Sequence, residues 1–273
     1  MRTRMRAIGL CAVLSLPGTA FGEVVYGGSS TLAETVLQGG ATRGFEAKTG
    51  IAVRIADLSG TGKGLKALAE GKLNVVGSGR TLAPDEKKAG LLGTIVGYDG
   101  LAIFVNRANP VKDLTQAQLK DLYTGKAKSW KELGGKDVKI AAYIEPVASK
   151  RATVQLVQEL VLDGAPYGAG IHEVEQLRDQ LAEVARNEGG ICVASIGFLQ
   201  SIDPGVKASI RAVSLDATEA NDANIRSGAY LLSRPMLLVT KGLPEGDVKR
   251  FIDFMLGAEG QAVVEKFFVR VKK

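Results

Sequence analysis

Short apolar runs, glycine turns and segments of helical period follow one another along the chain. Val24-Val25-Tyr26 is an apolar run, Gly27 to Thr31 is a turn, and Leu32, Val36 and Phe45 then fall on a helical pattern. The unit recurs: Ile51 to Ile55 alternates as a strand, Ser59 to Gly64 is a turn, and Leu65, Leu68 and Ala69 continue as helix. Asn74-Val75-Val76-Gly77 reads as a third, buried strand. Leu101 to Val105 is the strongest apolar run of the middle, ended by Asn109-Pro110, and Thr115 is placed to cap a helix through Leu119. Beyond it the pattern predicts a strand over 138–143, a helix over 151–162, a polar helix over 173–186 and a strand over 190–198. A late strand over 237–240 and a closing helix over 246–268 complete the chain. Strands alternating with helices predict an α/β fold with a largely parallel sheet.

The first residues change this picture, because they read as an address. Arg2, Arg4 and Arg6 form a basic start, Ala7 to Leu16 is an apolar stretch, and Pro17-Gly18 breaks it. Ala20-Phe21-Gly22 places small residues at the two positions a signal peptidase inspects, which predicts cleavage after Gly22 and a periplasmic protein. The apolar stretch is too short to span a bilayer. Removing its three arginines lowers the net charge from +6 to +3. The remaining Lys and Arg are not interleaved with aromatics, which argues against a nucleic-acid groove, while a mild positive balance suits a small anion.

Cysteine and histidine usage narrows the chemistry. Cys11 belongs to the leader, so Cys192, flanked by Ile191 and Val193, would be alone and reads as a core thiol. His172 is the single histidine. That excludes multi-histidine metal sites and weakens any Ser/His/Asp catalyst, since His172 stands in a Glu-rich helical stretch and reads as a surface residue. No nucleophile has a credible base, so no enzyme and no cofactor are expected.

An anion needs no catalyst to be held. A helix N-terminus offers free N–H groups and a positive dipole end, and hydroxyls in the preceding turn add donors. Gly28 to Thr31, Ser59 to Gly64 and Ser78-Gly79-Arg80 all have that composition and follow successive strands. Ligands of open α/β sheets gather at that end of the strands. The middle turn is no nucleotide P-loop: that pattern needs Gly where Asp57 stands and Ser or Thr where Gly64 stands.

With these residues in view, a resemblance emerges. Gly28-Ser29-Ser30-Thr31 resembles the opening motif of the phosphate-binding components of ABC importers, and Gly60 to Leu68 resembles their second glycine loop. Asn74 to Leu82, Asn106 to Leu133 (with Asn109-Pro110-Val111, Tyr123-Thr124-Gly125 and Ser129-Trp130) and Leu232-Ser233-Arg234-Pro235 are similar as well. The resemblance implies a two-lobed periplasmic-binding-protein fold of type II-like α/β topology with two crossover strands. Lobe 1 would comprise 23–103 plus 236–273 and lobe 2 104–235, with crossovers near 103–106 and 233–238. It implies a monomer that captures phosphate or a similar oxyanion for an ABC permease in the inner membrane. The implied ligand-binding residues are Ser29, Ser30, Thr31, Thr61, Gly62, Gly79 and Arg80 in the first lobe, and Ser149, Lys150 and Arg151 in the second.

The chain also departs from the family. Ile144 stands at the place of an arginine, Ala148-Ser149-Lys150-Arg151 at the place of Ser-Gly-Thr-Arg, and Gly79 where Ser or Asp is expected. These losses leave open another oxyanion, an organic acid, or a surface or signalling role without transport.

Overall fold

The computed structural model describes residues 23–271; the leader and its cleavage site lie outside the described residues. In chain order the strands are β1 (Val24–Gly28), β2 (Val53–Ile55), β3 (Val75–Ser78), β4 (Leu91–Asn106), β5 (Asp113–Leu114) and β6 (Ala141–Ile144). They continue as β7 (His172–Glu173), β8 (Gly190–Ser195), β9 (Ile210–Leu215), β10 (Ser233–Lys241) and β11 (Val269–Arg270). The sheet is ordered β2-β1-β3-β10-β4-β8-β6-β7, with β9 and β11 also on β4 and β5 on β9. β1 runs parallel to β2 and β3, so the three glycine turns emerge at one end of the sheet, as their spacing predicted.

The long strand β4 joins two halves. Its residues Leu91–Gly100 pair with β10, while Leu101–Asn106 pair with β8 and β9. The exchange of partners falls at Gly100–Leu101, and β10 begins opposite, with Ser233 against Gly100. Both connections between the halves therefore lie side by side. Each half has its own apolar core. One gathers Tyr26, Leu32, Val36, Phe45 and Phe251 around β1 and the first half of β4. The other gathers Leu101, Ile103, Trp130, Ile144 and Val157 around the second half of β4. That second half is buried on both faces, which explains its unbroken apolar run.

The structure differs from the pattern where tertiary pairing overrides local signals. The closing helix is two helices, Gly246–Leu256 and Ala258–Val264, separated by extended Gly257 and followed by β11. Gly260 packs so closely on the Phe254 carbonyl that a side chain there would not fit, which lets the second helix fold back. His172 and Glu173 are strand, not helix, because they pair with Tyr143 and Ile144 of β6; the helix starts at Leu177. His172 is exposed, stacked at 5.3 Å on Tyr143. β8 ends at Ser195, whose hydroxyl accepts from the Gly197 amide and turns the chain into a 3-10 segment. The first half of β4 and all of β9 went unrecognised: Gly93 and Gly97 interrupt the one, and Arg211 the apolar pattern of the other. Among the described residues no helix is long and apolar enough to cross a membrane.

Candidate functional site

The three turns of the first half are tied together by backbone contacts. The Ser29 amide donates to the Gly77 carbonyl at 2.9 Å, and the Tyr26 hydroxyl donates to the Ser29 carbonyl at 2.8 Å, so the first turn is clamped to β3. Ser29 also caps the helix that opens at Ser30, its hydroxyl accepting from the Leu32 amide at 3.3 Å. The Gly60 amide donates to the Gly28 carbonyl at 3.0 Å, and the Gly79 amide donates to the Thr61 hydroxyl at 3.2 Å. Gly60 has a positive φ of 96°, which a residue with a side chain rarely adopts, and it lies directly beneath the Arg151 side chain.

These turns face the start of a helix from the other half, Ala152–Leu160, capped by Arg151. One cavity separates them. Ser29, Ser30, Thr31, Gly60 and Thr61 border it from one half, and Glu145, Arg151, Ala152 and Thr153 from the other, together with Arg234 of β10. Three helix N-termini, opening at Ser30, Thr61 and Ala152, thus converge. Each leaves N–H groups without helical partners and adds the positive end of a dipole. The cavity is small, about 10 Å³, close to what one water molecule needs.

Charged groups surround it in pairs. Arg234 donates to Asp99 through Nε and Nη2 at 3.0 and 2.8 Å, and through Nη1 to the Thr153 hydroxyl at 3.2 Å. The Ser195 hydroxyl donates to the other Asp99 oxygen at 2.8 Å. This network joins β4, β8, β10 and the helix Ala152–Leu160 where the two halves meet. Burial raises the Asp99 pKa, and Arg234 and Ser195 oppose that rise. Arg151 donates to Glu145 Oε1 at 3.0 Å and to the Glu175 carbonyl at 2.9 Å, and pairs with the Glu175 carboxylate as well. Burial likewise raises the pKa of Glu145, against the pull of Arg151.

Of the residues singled out in the sequence, Ser29, Ser30, Thr31, Thr61 and Arg151 border the cavity together. The others are placed elsewhere. Gly62 is exposed on the outer side of its helix. Gly79 lies behind Thr61 and against the Arg234 guanidinium. Arg80 turns away: it is bidentate to Glu86 at 2.8 and 2.7 Å and reaches Gln155 at 3.3 Å. The Ser149 hydroxyl donates to the Pro146 carbonyl at 2.5 Å, and Lys150 is exposed in a left-handed conformation with φ 51°. Ile144 is fully buried in the second core. Sequence reasoning missed Glu145, Thr153 and Arg234. Glu145 and Thr153 were findable as the polar residues at the carboxyl end of β6 and in the first turn of the facing helix. Arg234 stands in the Leu232-Ser233-Arg234-Pro235 motif, but only the return of β10 brings it to the cleft.

An α/β chain that passes twice between two halves and closes helix N-termini over a buried polar cavity has the two-lobed periplasmic-binding-protein fold, the architecture of solute-binding proteins. Residues 16–259 match the PBP superfamily domain. The phosphate-binding protein PstS of Bacillus subtilis is 31% identical over 242 residues, 86% of this chain and 76% of the relative. PstS of Staphylococcus epidermidis is 31% identical over 229 residues, 79% of this chain and 69% of the relative. Among solved structures, a phosphate-bound protein from Clostridium perfringens, assigned as the substrate-binding protein of a phosphate ABC transporter, superposes with a TM-score of 0.81 at 31% identity, covering 92% of this chain and all of that one. An ABC-type phosphate transport receptor from Vibrio cholerae gives 0.75 at 25% identity, over 92% and 100% of the two chains. The chain belongs to the PstS-like family of phosphate-binding proteins, a family of solute-binding proteins.

Proposed function

We propose that this chain is exported and captures phosphate in the inter-lobe cavity for delivery to an ABC permease. The observation that carries the reading is the convergence of three helix N-termini, with the hydroxyls of Ser30, Thr31, Thr61 and Thr153, on one small cavity between the halves. Such termini hold anions by backbone donors and dipole, with no chemistry performed. At about the size one water molecule needs, the cavity is narrower than a four-oxygen anion, so capture requires the two halves to part and close again around the ligand. The hinge is assigned to Asp99–Leu101 and Ser233–Pro235, where β4 changes partners and β10 returns. Hinges of this kind are a few extended residues that absorb the backbone rotation. The protein acts as a monomer, and delivery requires both lobes to present their outer faces to the permease.

Calorimetric titration of the leaderless chain with phosphate tests the reading. Saturable binding is expected, with a rise in unfolding free energy of about 2.7 kcal/mol at a ligand concentration 100 times Kd. Absence of heat and of any thermal shift with phosphate, arsenate and sulfate would remove the oxyanion function. One observation favours a second reading, another oxyanion or an organic acid: the arginine place holds Ile144, an apolar residue inside the core. Tighter binding of such a ligand than of phosphate would select that reading. Export is tested by the intact mass of secreted protein, expected to lack residues 1–22.

A further inference from the structure

A groove of about 760 Å³ shares no bordering residue with the inter-lobe cavity. Its floor is one face of the sheet. Ala102 and Phe104 of β4 alternate onto that face, Ala212 of β9 pairs directly with Phe104, and Ser214 follows two residues on. Three of these four side chains are small, and Ala212 is exposed in mid-strand, so the face is left hollow where bulkier residues would fill it. One wall is the 3-10 segment Ile196–Gln200, which carries half-buried Leu199 and belongs to the second half. Another is the tail Glu265–Phe268, which carries half-buried Phe267 and packs on the core of the first half. Ligand sites of about 300–1,000 Å³ with mostly apolar walls favour such boundaries between halves.

The charges on the border are unevenly compensated. Of its three acids, Glu265 pairs with Arg270 at 3.3 Å, and Glu219 accepts from the Asn221 amide at 3.5 Å. Asp222 stands in the first turn of the helix Asp222–Ser227, where free amides favour a carboxylate. The three cations, Lys112, Arg211 and Lys266, have no carboxylate within ion-pair distance among the described residues. Arg211 donates to the carbonyls of Asn109 and Val111, and burial together with Arg107 lowers its pKa, as befits a cation with no anion beside it.

We propose that this groove is a second ligand site, for a small amphipathic organic anion. Its aliphatic or aromatic body lies on Phe104 and Ala212 between Leu199 and Phe267, and its acidic group faces the cations of the border. Burial of the body supplies the affinity, and the unpaired cations select an anion. Phosphate has no apolar body and gains nothing from these walls. The site therefore stands whether or not the inter-lobe cavity holds phosphate.

The test uses the full chain without its leader and two probes. Anilinonaphthalene sulfonate, whose fluorescence rises in apolar surroundings, should bind at about one per chain, and decanoate should displace it. Ala212→Trp fills the floor from an exposed position and should abolish binding of both, with urea unfolding showing that the variant is folded. Lys112→Glu with Lys266→Glu reverses two exposed, unpaired charges and should lower the affinity for decanoate about tenfold. Leu243→Ser removes the most exposed large apolar side chain, which lies outside the groove, and should change nothing. Failure of both probes to bind overturns the proposal. So does binding that survives unchanged in folded Ala212→Trp, that is lost in Leu243→Ser, or that saturating phosphate abolishes, since the probes then sit elsewhere. Should Ala212→Trp fail to fold, the double charge reversal decides: unchanged decanoate affinity overturns the site.

Discussion

Replacing Gly64 with Ala should separate the first two glycine turns of the first lobe. Gly64 lies in the first helix turn after Thr61, against the backbone of Gly28. A Cβ there would sit 2.5 Å from Gly28 Cα, 2.9 Å from its amide nitrogen and 3.1 Å from Val76 Cγ1. The first two are backbone atoms and cannot rotate aside. Reaching the 3.4 Å of ordinary contact requires the two segments to part by about 0.9 Å. The Gly60–Gly28 hydrogen bond, 3.0 Å long, lies between the same segments and would stretch past useful length. Overpacking of this kind costs about 1–3 kcal/mol, offset by about 1 kcal/mol of helix propensity gained over glycine. Net stability should therefore fall by no more than about 2 kcal/mol, leaving a folded protein. Binding should suffer more. Displacing even one donor to a charged ligand is worth about 1.5–3 kcal/mol, roughly a 10- to 150-fold loss of affinity. Urea unfolding and phosphate calorimetry on the same sample separate the two effects. Gly62→Ala is the control: it lies in the same helix turn with an ordinary φ and open space around it, and should leave both readings nearly unchanged. A folded Gly64→Ala protein with natural affinity would refute the reasoning, because the ligand would then not depend on the contact between the turns.

Four further outcomes follow from the same contacts. Thr61→Val keeps the shape of a buried side chain but leaves the Gly79 amide without its acceptor, and urea unfolding should show a loss of about 1–3 kcal/mol, with Thr61→Ser restoring it. Asp99→Asn leaves buried Arg234 without a counter-charge and should cost about 3–5 kcal/mol in the same assay. Lys150→Gly relieves a left-handed conformation at an exposed position outside the cavity; melting temperature should hold or rise slightly and phosphate affinity should stay unchanged. Hydrogen bonds from Arg80 lower the pKa of Glu86 in the folded state, so the stability they bring is present above the ordinary Glu value of about 4.3 and is lost as pH falls through the lowered one. Acid unfolding of Glu86→Gln should accordingly show a shallower pH dependence below about pH 4.3 than the natural chain.

What the chain alone determined was the order of its elements and the glycine turns of the first lobe that border the cavity. Glycine turns after apolar runs are local signals, since a turn needs its own glycine and its own hydroxyl, and the parallel order of β1, β2 and β3 brings all three to one edge. Ser30, Thr31 and Thr61 were legible for that reason. The second lobe's share of the site was not, because it depends on where separate strands end. Arg234 reaches the cleft only through β10 returning antiparallel to β4, some 135 residues from its partner Asp99. Arg80 and Lys150 looked like ligand groups by neighbourhood, yet Glu86 claims the one and a left-handed turn directs the other to solvent. A cation's partner is chosen by distance in space, which residue spacing does not encode. Glu145 shows the limit most clearly: in the sequence it is one acid among many, and only the meeting of two lobes makes it a buried carboxylate at the border of the cavity between them.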